Sequence, residues 1–320
     1  MSQNKLGIYG GQAVIEGVMF AGKTAFVTAV RRKNNEIEFH EMPKKDKNWV
    51  RALKKIPFIR GLVGIIDSSA KGSQFLNFSA EAYAEDEVGP ETDKDVNKAK
   101  DNEKSGVFSG LAVILSVAVV GILSFIVGKL IFTLVPVFVE DFIFGSIFEN
   151  QFLHNLLEGA IKIILLLVYL FAISQTPLIK RLFQYHGAEH KVISAYEAGL
   201  ELTVSNVQKF NTLHYRCGSS FIVFTVIVGV IIYSFLTYDT LWERIYQRLL
   251  LLPIVIGVSY EVLKGTNSLR EYPVLRYLGY PGLWLQLLTT KEPNDAQVEV
   301  AIASFNRVLE MDNQPAEEIA

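Results

Sequence analysis

The feature that most constrains this chain is a stretch without any charge from Val107 through Gly128, which stays apolar to Val139 apart from Lys129. A hydrocarbon core about 30 Å thick needs about 20 consecutive apolar helical residues, so this stretch predicts a membrane span. Two further spans are expected. One runs over Leu156–Gln175, where Lys162 can snorkel at the near edge, and the other over Cys217–Tyr238. A fourth run, Leu249–Tyr260, is shorter and lies between Arg248 and Glu261. It crosses only where those end charges reach the interface or a protein interior. The mean hydropathy of +0.27 agrees with a membrane protein that keeps substantial aqueous parts. With 31 basic against 33 acidic residues and a net charge of −2, the chain lacks the basic excess of a nucleic-acid binder, and no nucleic-acid partner is expected. Its one cysteine, Cys217, excludes an intramolecular disulfide.

Basic residues give the orientation. Arg31, Arg32, Lys54, Lys55 and Arg60 precede the first span, while the stretch from Glu140 to Glu158 is acidic and free of Lys and Arg. Lys180, Arg181, Lys191, Lys209 and Arg216 lie between the second and third spans, and Lys264, Arg270, Arg276 and Lys291 follow the fourth. Four crossings put every one of these basic segments on one side, which predicts a multi-pass cell-membrane protein with cytoplasmic N- and C-termini. Met1–Gly11 lacks an apolar core of signal-peptide length.

The expected fold is a mainly α membrane protein: a four-helix transmembrane bundle with cytoplasmic helices and a small N-terminal antiparallel β-meander. Residues 1–48 hold the meander, with β-rich runs at Gln12–Phe20, Thr24–Arg32 and Glu36–Glu41. Residues 49–84 read as an amphipathic helical segment, suited to headgroups or to packing on the meander. Residues 85–105 read as a solvated linker. The four-span membrane domain covers 106–265 and includes a cytoplasmic segment at 176–216, and 266–320 form a cytoplasmic C-terminal segment.

Two short motifs are set aside. Gly17-Val-Met-Phe-Ala-Gly22-Lys23-Thr24 has the letters of a phosphate-binding loop, but the β-branched and aromatic residues that follow do not supply the required helix. Gly10-Gly11-Gln12 reads as a turn.

The stronger pattern is His186-Gly-Ala-Glu189-His190, an H-x-x-E-H sequence. Pro177 suits a first helical turn and Gly199 a residue just past the helix end. On that helix His186 and His190 share a face with Ile193 and Glu197, and Glu189 flanks the pair. Two imidazoles one turn apart can hold one divalent metal, and a flanking carboxylate suits proton removal from water. His214-Tyr-Arg-Cys217 adds a nitrogen and a sulfur on the same segment, a donor set that suits zinc. The metal ligands expected are therefore His186, His190, His214 and Cys217, with Glu189 as catalytic base and Glu197 as a weaker ligand or outer partner. His40 and His154 are expected elsewhere. Glu16 reads as the outward face of a strand, and Glu261 as an end charge or an acid turned inward.

Four separated blocks, Tyr9–Met19, Tyr185–Glu197, Arg216–Phe221 and Gly282–Thr290, resemble signatures of the bacterial YqhQ-like family. The resemblance spans essentially the whole chain and implies a multi-pass membrane protein. That family is commonly labelled a predicted metal-dependent enzyme of unknown function, and the resemblance carries His186, Glu189, His190, His214 and Cys217 over as the metal centre. His214-Tyr-Arg-Cys217 departs from the family's His-Pro-Arg-Cys form, which bears on loop stiffness and not on ligand chemistry. The function expected is a metal-dependent hydrolase at the cytoplasmic membrane surface. The alternatives are a scaffold or assembly factor with a structural metal and, with less support, a transporter. The lipid bilayer is the one partner expected.

Overall fold

The computed structural model describes residues 9–44, 48–88, 128 and 131–313. The chain divides into two compact units, the first made of Met1–Tyr83, Leu167–Val228 and Leu251–Ala320, the second of Ala84–Leu166 and Gly229–Leu250.

The first unit is built on an antiparallel meander of β1 (Gly10–Val14), β2 (Gly17–Ala21), β3 (Ala25–Arg31) and β4 (Ile37–Pro43), in that order. The expected run Gln12–Phe20 is a hairpin, because the chain reverses at Ile15-Glu16 and pairs Val14 with Gly17. The second loop residue, Glu16, takes the left-handed backbone conformation with φ 54°. Glu16 is thus a turn residue. Its carboxylate receives Arg181 Nε at 2.5 Å, which offsets the backbone cost of a non-glycine residue there.

β3 is buried along nearly its whole length because helices cover both faces of the sheet. On one face Val18, Phe20, Val27 and Ala29 meet Tyr185, Ala188 and Val192 of helix Pro177–Glu197, together with Val298, Ala301, Phe305 and Val308 of helix Asp295–Asn313. On the other face Val14, Met19, Phe26 and Val30 meet Phe75 and Ala82 of helix Ile59–Val88. The meander and the C-terminal segment, far apart in sequence, therefore share one core. The expected helical segment 49–84 is two helices, Asn48–Leu53 and Ile59–Val88, interrupted at Pro57 and at Phe58 with φ 65°. The linker expected at 85–105 is corrected in its first part: Glu85 to Val88 continue the second helix, and residues 89–105 lie outside the described residues.

The phosphate-loop letters lie on a strand–turn–strand hairpin, β2 to β3. Its turn does hold an anion, one supplied by the chain. The amides of Lys23 and Thr24 donate to the Asp312 carboxylate at 2.9 and 2.8 Å, and the Thr24 hydroxyl at 2.8 Å. Burial works against this carboxylate, yet those donors hold it below the ordinary aspartate range. A depressed folded-state value stabilises above the unfolded-state value and is lost as pH falls through the folded one. Asp312→Asn is therefore expected to cost about 1 kcal/mol at pH 7, discounted for partial exposure. The gap from wild type should close below about pH 4; thermal unfolding of the full chain across pH checks both the size and the sign.

Among the described residues one helix, Gln151–Ser174, is long and apolar enough to cross a bilayer, or two if Leu241–Leu250 and Leu252–Ser268 act as one span. The first expected span falls almost wholly outside the described residues. The third is the shorter helix Ser220–Tyr233, because Cys217, Gly218 and Ser219 form a turn ahead of it. The four-helix bundle is thus more than the described residues contain.

In the second unit a buried ion network ties the elements together. Arg244 bridges Glu140 at 2.7 Å and Glu158 at 2.8 Å, and Arg248 reaches Glu158 at 3.0 Å. His154 joins Glu140 at 2.5 Å.

Candidate metal centre

Helix Pro177–Glu197 starts and stops as its sequence dictates, with Pro177 in the first turn and Gly199 at φ 73° just past the end. Its apolar face, with Tyr185, Ala188, Val192 and Ala195, enters the sheet core, which fixes the rotation of the helix. The next face carries His186, Glu189, His190 and Ile193 into a cavity of about 350 Å³. The opposite walls are Gly10 to Ala13 of β1 and the turn from His214 to Ser219.

Ligand atoms of His186, His190 and Cys217 all lie within 4.8 Å of one another. Each histidine is oriented by a backbone carbonyl. His186 Nδ1 donates to Thr289 O at 2.7 Å and His190 Nδ1 to Thr212 O at 2.5 Å. A carbonyl only accepts, so Nδ1 carries the hydrogen and Nε2 of the neutral ring presents its lone pair, the arrangement that prepares histidine for a metal. Cys217 Sγ stands 3.2 Å from His186 Nε2 and 3.0 Å from Ser219 Oγ. Two imidazole nitrogens and a thiol form a borderline-soft donor set that fits zinc and leaves a fourth position open.

His214 stands beside this group. Its ring lies 5.6 Å from that of His190. Its Nδ1 accepts the Arg216 amide at 3.3 Å, and its Nε2 faces a Glu197 oxygen at 3.8 Å. Burial lowers the His214 pKa, with Glu197 opposing. Burial acts against Glu197 as well, yet His214, Arg216 and Arg270 hold its carboxylate below the ordinary range. Glu197 accordingly anchors the turn through Arg216 and His214.

Glu189 is buried against β1. Desolvation raises its pKa, while the Gly11 amide and the Arg216 guanidinium pull the other way. A raised carboxyl that lines the cavity is better suited to accept and return a proton than an ordinary surface glutamate.

Other elements complete the site. Gln286 of helix Tyr280–Thr289 accepts the His214 amide at 2.8 Å and donates to His214 O at 2.8 Å and Ser220 Oγ at 2.9 Å, which fixes the turn that carries Cys217. A Cβ on Gly187 would collide with the Lys291 carbonyl, so glycine between the histidines lets the strand-like Thr290-Lys291 segment cross the helix. A Cβ on Gly11 would come within 2.8 Å of Glu189 Cγ. Gly10-Gly11-Gln12, read as a turn from sequence, is strand and a wall of the cavity; three residues without helix or turn context gave too little signal. Gln286 and Thr289 fall in the Gly282–Thr290 block, whose apolar pattern hides their polar contacts to the centre. His40 stacks on Phe78, and His154 belongs to the Glu140 network of the second unit, so neither is among the grouped ligand atoms. Glu261 is paired with Arg60 and accepts the Phe58 amide at 3.0 Å, so it takes no part in the centre.

Residues 56–311 match the family model described as Protein of unknown function (DUF1385). The chain is 52% identical over 313 residues to the uncharacterized protein YqhQ of Bacillus subtilis (strain 168), covering 98% of this chain and 96% of that protein. No solved structure matches the chain.

Proposed function

The chain belongs to the family described as Protein of unknown function (DUF1385), and from that premise we propose that it is a multi-pass membrane hydrolase with a metal centre at the cytoplasmic surface. The single observation that carries this reading is the convergence of His186 Nε2, His190 Nε2 and Cys217 Sγ in a cavity that also holds Glu189. These three residues hold a divalent cation, zinc by donor chemistry, while His214 braces the turn through Glu197. The cation supplies Lewis acidity toward a carbonyl or phosphoryl oxygen. Glu189 takes a proton from water in the cavity and hands it to the leaving group. The Thr289 and Thr212 carbonyls keep both imidazoles in one tautomer through the cycle. Metal analysis of the purified full chain tests the centre, with one ion per chain removed by a chelator as the expected result.

The membrane reading rests on inverted amphipathicity. In helix Tyr280–Thr289 the polar Gln286 is fully buried, whereas Trp284 is 63% and Leu287 58% exposed. Just upstream Tyr272, Val274, Tyr277 and Leu278 are exposed as well, next to Arg270 and Arg276. Apolar side chains outward and polar ones inward suit lipid contact, with aromatic and basic residues at headgroup depth. Helix Gln151–Ser174 is similarly exposed at Ile164, Val168 and Phe171. In the four-span topology Arg244 and Arg248 face outward, and their partners Glu140 and Glu158 neutralise them, consistent with the cytoplasmic bias of the other basic residues. With Trp49 and Trp242 replaced by Phe, Trp284 emission should fall by at least about half in vesicles of brominated lipid, as expected for an indole at the interface. Emission unchanged from ordinary lipid sinks the lipid seat.

A further inference from the structure

β1 is the outer strand of the sheet, and its free edge faces the candidate metal centre. Which backbone groups point that way follows from the register. In a two-residue hairpin the residues that flank the loop exchange hydrogen bonds, here Val14 with Gly17, and bonded pairs then alternate. Gly10, Gln12 and Val14 therefore bond to β2, and the N–H and C=O groups of Gly11 and Ala13 point away from it. Two contacts agree with this parity: the Gly11 amide meets the Glu189 carboxylate, and the Ile15 amide donates to Ser79 Oγ at 3.2 Å. Between them, the Gly11 carbonyl and both backbone groups of Ala13 have no hydrogen-bond partner among the described residues. Gly10 and Gly11 carry no side chain into the same space, and a Cβ on Gly10 would meet nothing within 4 Å.

We propose that the substrate is a polypeptide held in extended form as an added strand on β1, with one of its peptide groups brought beside His186, His190, Cys217 and Glu189. The proposal rests on the hydrolase reading and names its substrate class. An acceptor, a donor and a second acceptor in strand spacing match another backbone, the mode by which sheet edges capture peptides without strict regard to side chains. Lipid headgroups and sugars lack that repeat. In the reaction water oxygen bonds to the carbonyl carbon and the amide C–N bond breaks. Glu189 carries one water proton to the leaving nitrogen, and the new carboxylic acid gives up the other to the freed amine, so the products are a carboxylate and a protonated amine.

The test uses the full chain in lipid nanodiscs, with its metal content measured. A pool of random-sequence decapeptides is followed by mass spectrometry, and p-nitrophenyl acetate hydrolysis is followed in parallel. Wild type should cleave the pool. Ala13→Pro removes the edge N–H at a position where an outer strand tolerates proline. It should keep the metal and cut the rate on peptides by about 10-fold or more, the worth of one hydrogen bond. Circular dichroism and metal content verify that the Ala13→Pro protein keeps its fold. Metal-loaded wild type that hydrolyses the ester and leaves every peptide intact overturns the polypeptide substrate but spares the hydrolase. Ala13→Pro protein that cleaves peptides at the wild-type rate overturns the added strand. Failure on both ester and peptides with metal bound, or absence of metal from wild type, overturns the underlying hydrolase reading.

Discussion

His190→Ala protein purified from cells should carry almost none of the metal that wild type retains, while still folding. Its ring supplies one of three ligand atoms lying within 4.8 Å of one another, and the remaining pair cannot close a site. Loss of outer-sphere partners alone weakens metal sites by about 10- to 100-fold, so removal of a ligand should exceed about 100-fold. Cys217→Ser and His186→Ala should behave alike. His214→Ala should differ, because its Nε2 is turned to Glu197 and its Nδ1 to the Arg216 amide. Elemental analysis of the four variants beside wild type, with circular dichroism to verify folding, separates a three-ligand centre from a four-ligand one. Equal metal in wild type and His190→Ala removes the centre as drawn; loss in His214→Ala equal to that in His190→Ala makes His214 a ligand and the site closed.

Glu189→Gln is expected to retain metal and fold but to lose turnover by about 10²- to 10⁴-fold, the usual worth of a positioned general base. The substitution keeps shape and can still accept the Gly11 amide, but it cannot take a proton. The readout is ester hydrolysis by protein matched in metal content to wild type. Turnover that survives the change points instead to a scaffold in which the metal is structural.

How much of this was legible in the sequence differs by element, for physical reasons. The limits of helix Pro177–Glu197 were readable because Pro177 and Gly199 act locally, one through its fixed φ and the other through its positive φ. His186 and His190 were readable because i and i+4 share a face whatever the helix packs against. Hydropathy foretold more crossings than the described helices supply. It cannot see that the run beginning at Cys217 uses its first residues as a turn to place a thiol. The β1–β2 hairpin escaped because Ile15-Glu16 lacks the usual turn residues and relies on Arg181, far away in sequence. The supports of the histidines were invisible for a plainer reason: they are the carbonyls of Thr289 and Thr212, and every residue has a carbonyl.

The core shared by the first strands and the last helix has a consequence for biosynthesis. Phe20 packs on Phe305, and Ser304 donates to Val27 O across most of the chain. On the ribosome the meander must wait, one face bare, until helix Asp295–Asn313 has been made. Closure of the cavity beside β1 is then a late event, so nascent chains stalled short of helix Asp295–Asn313 should be prey for quality-control proteases.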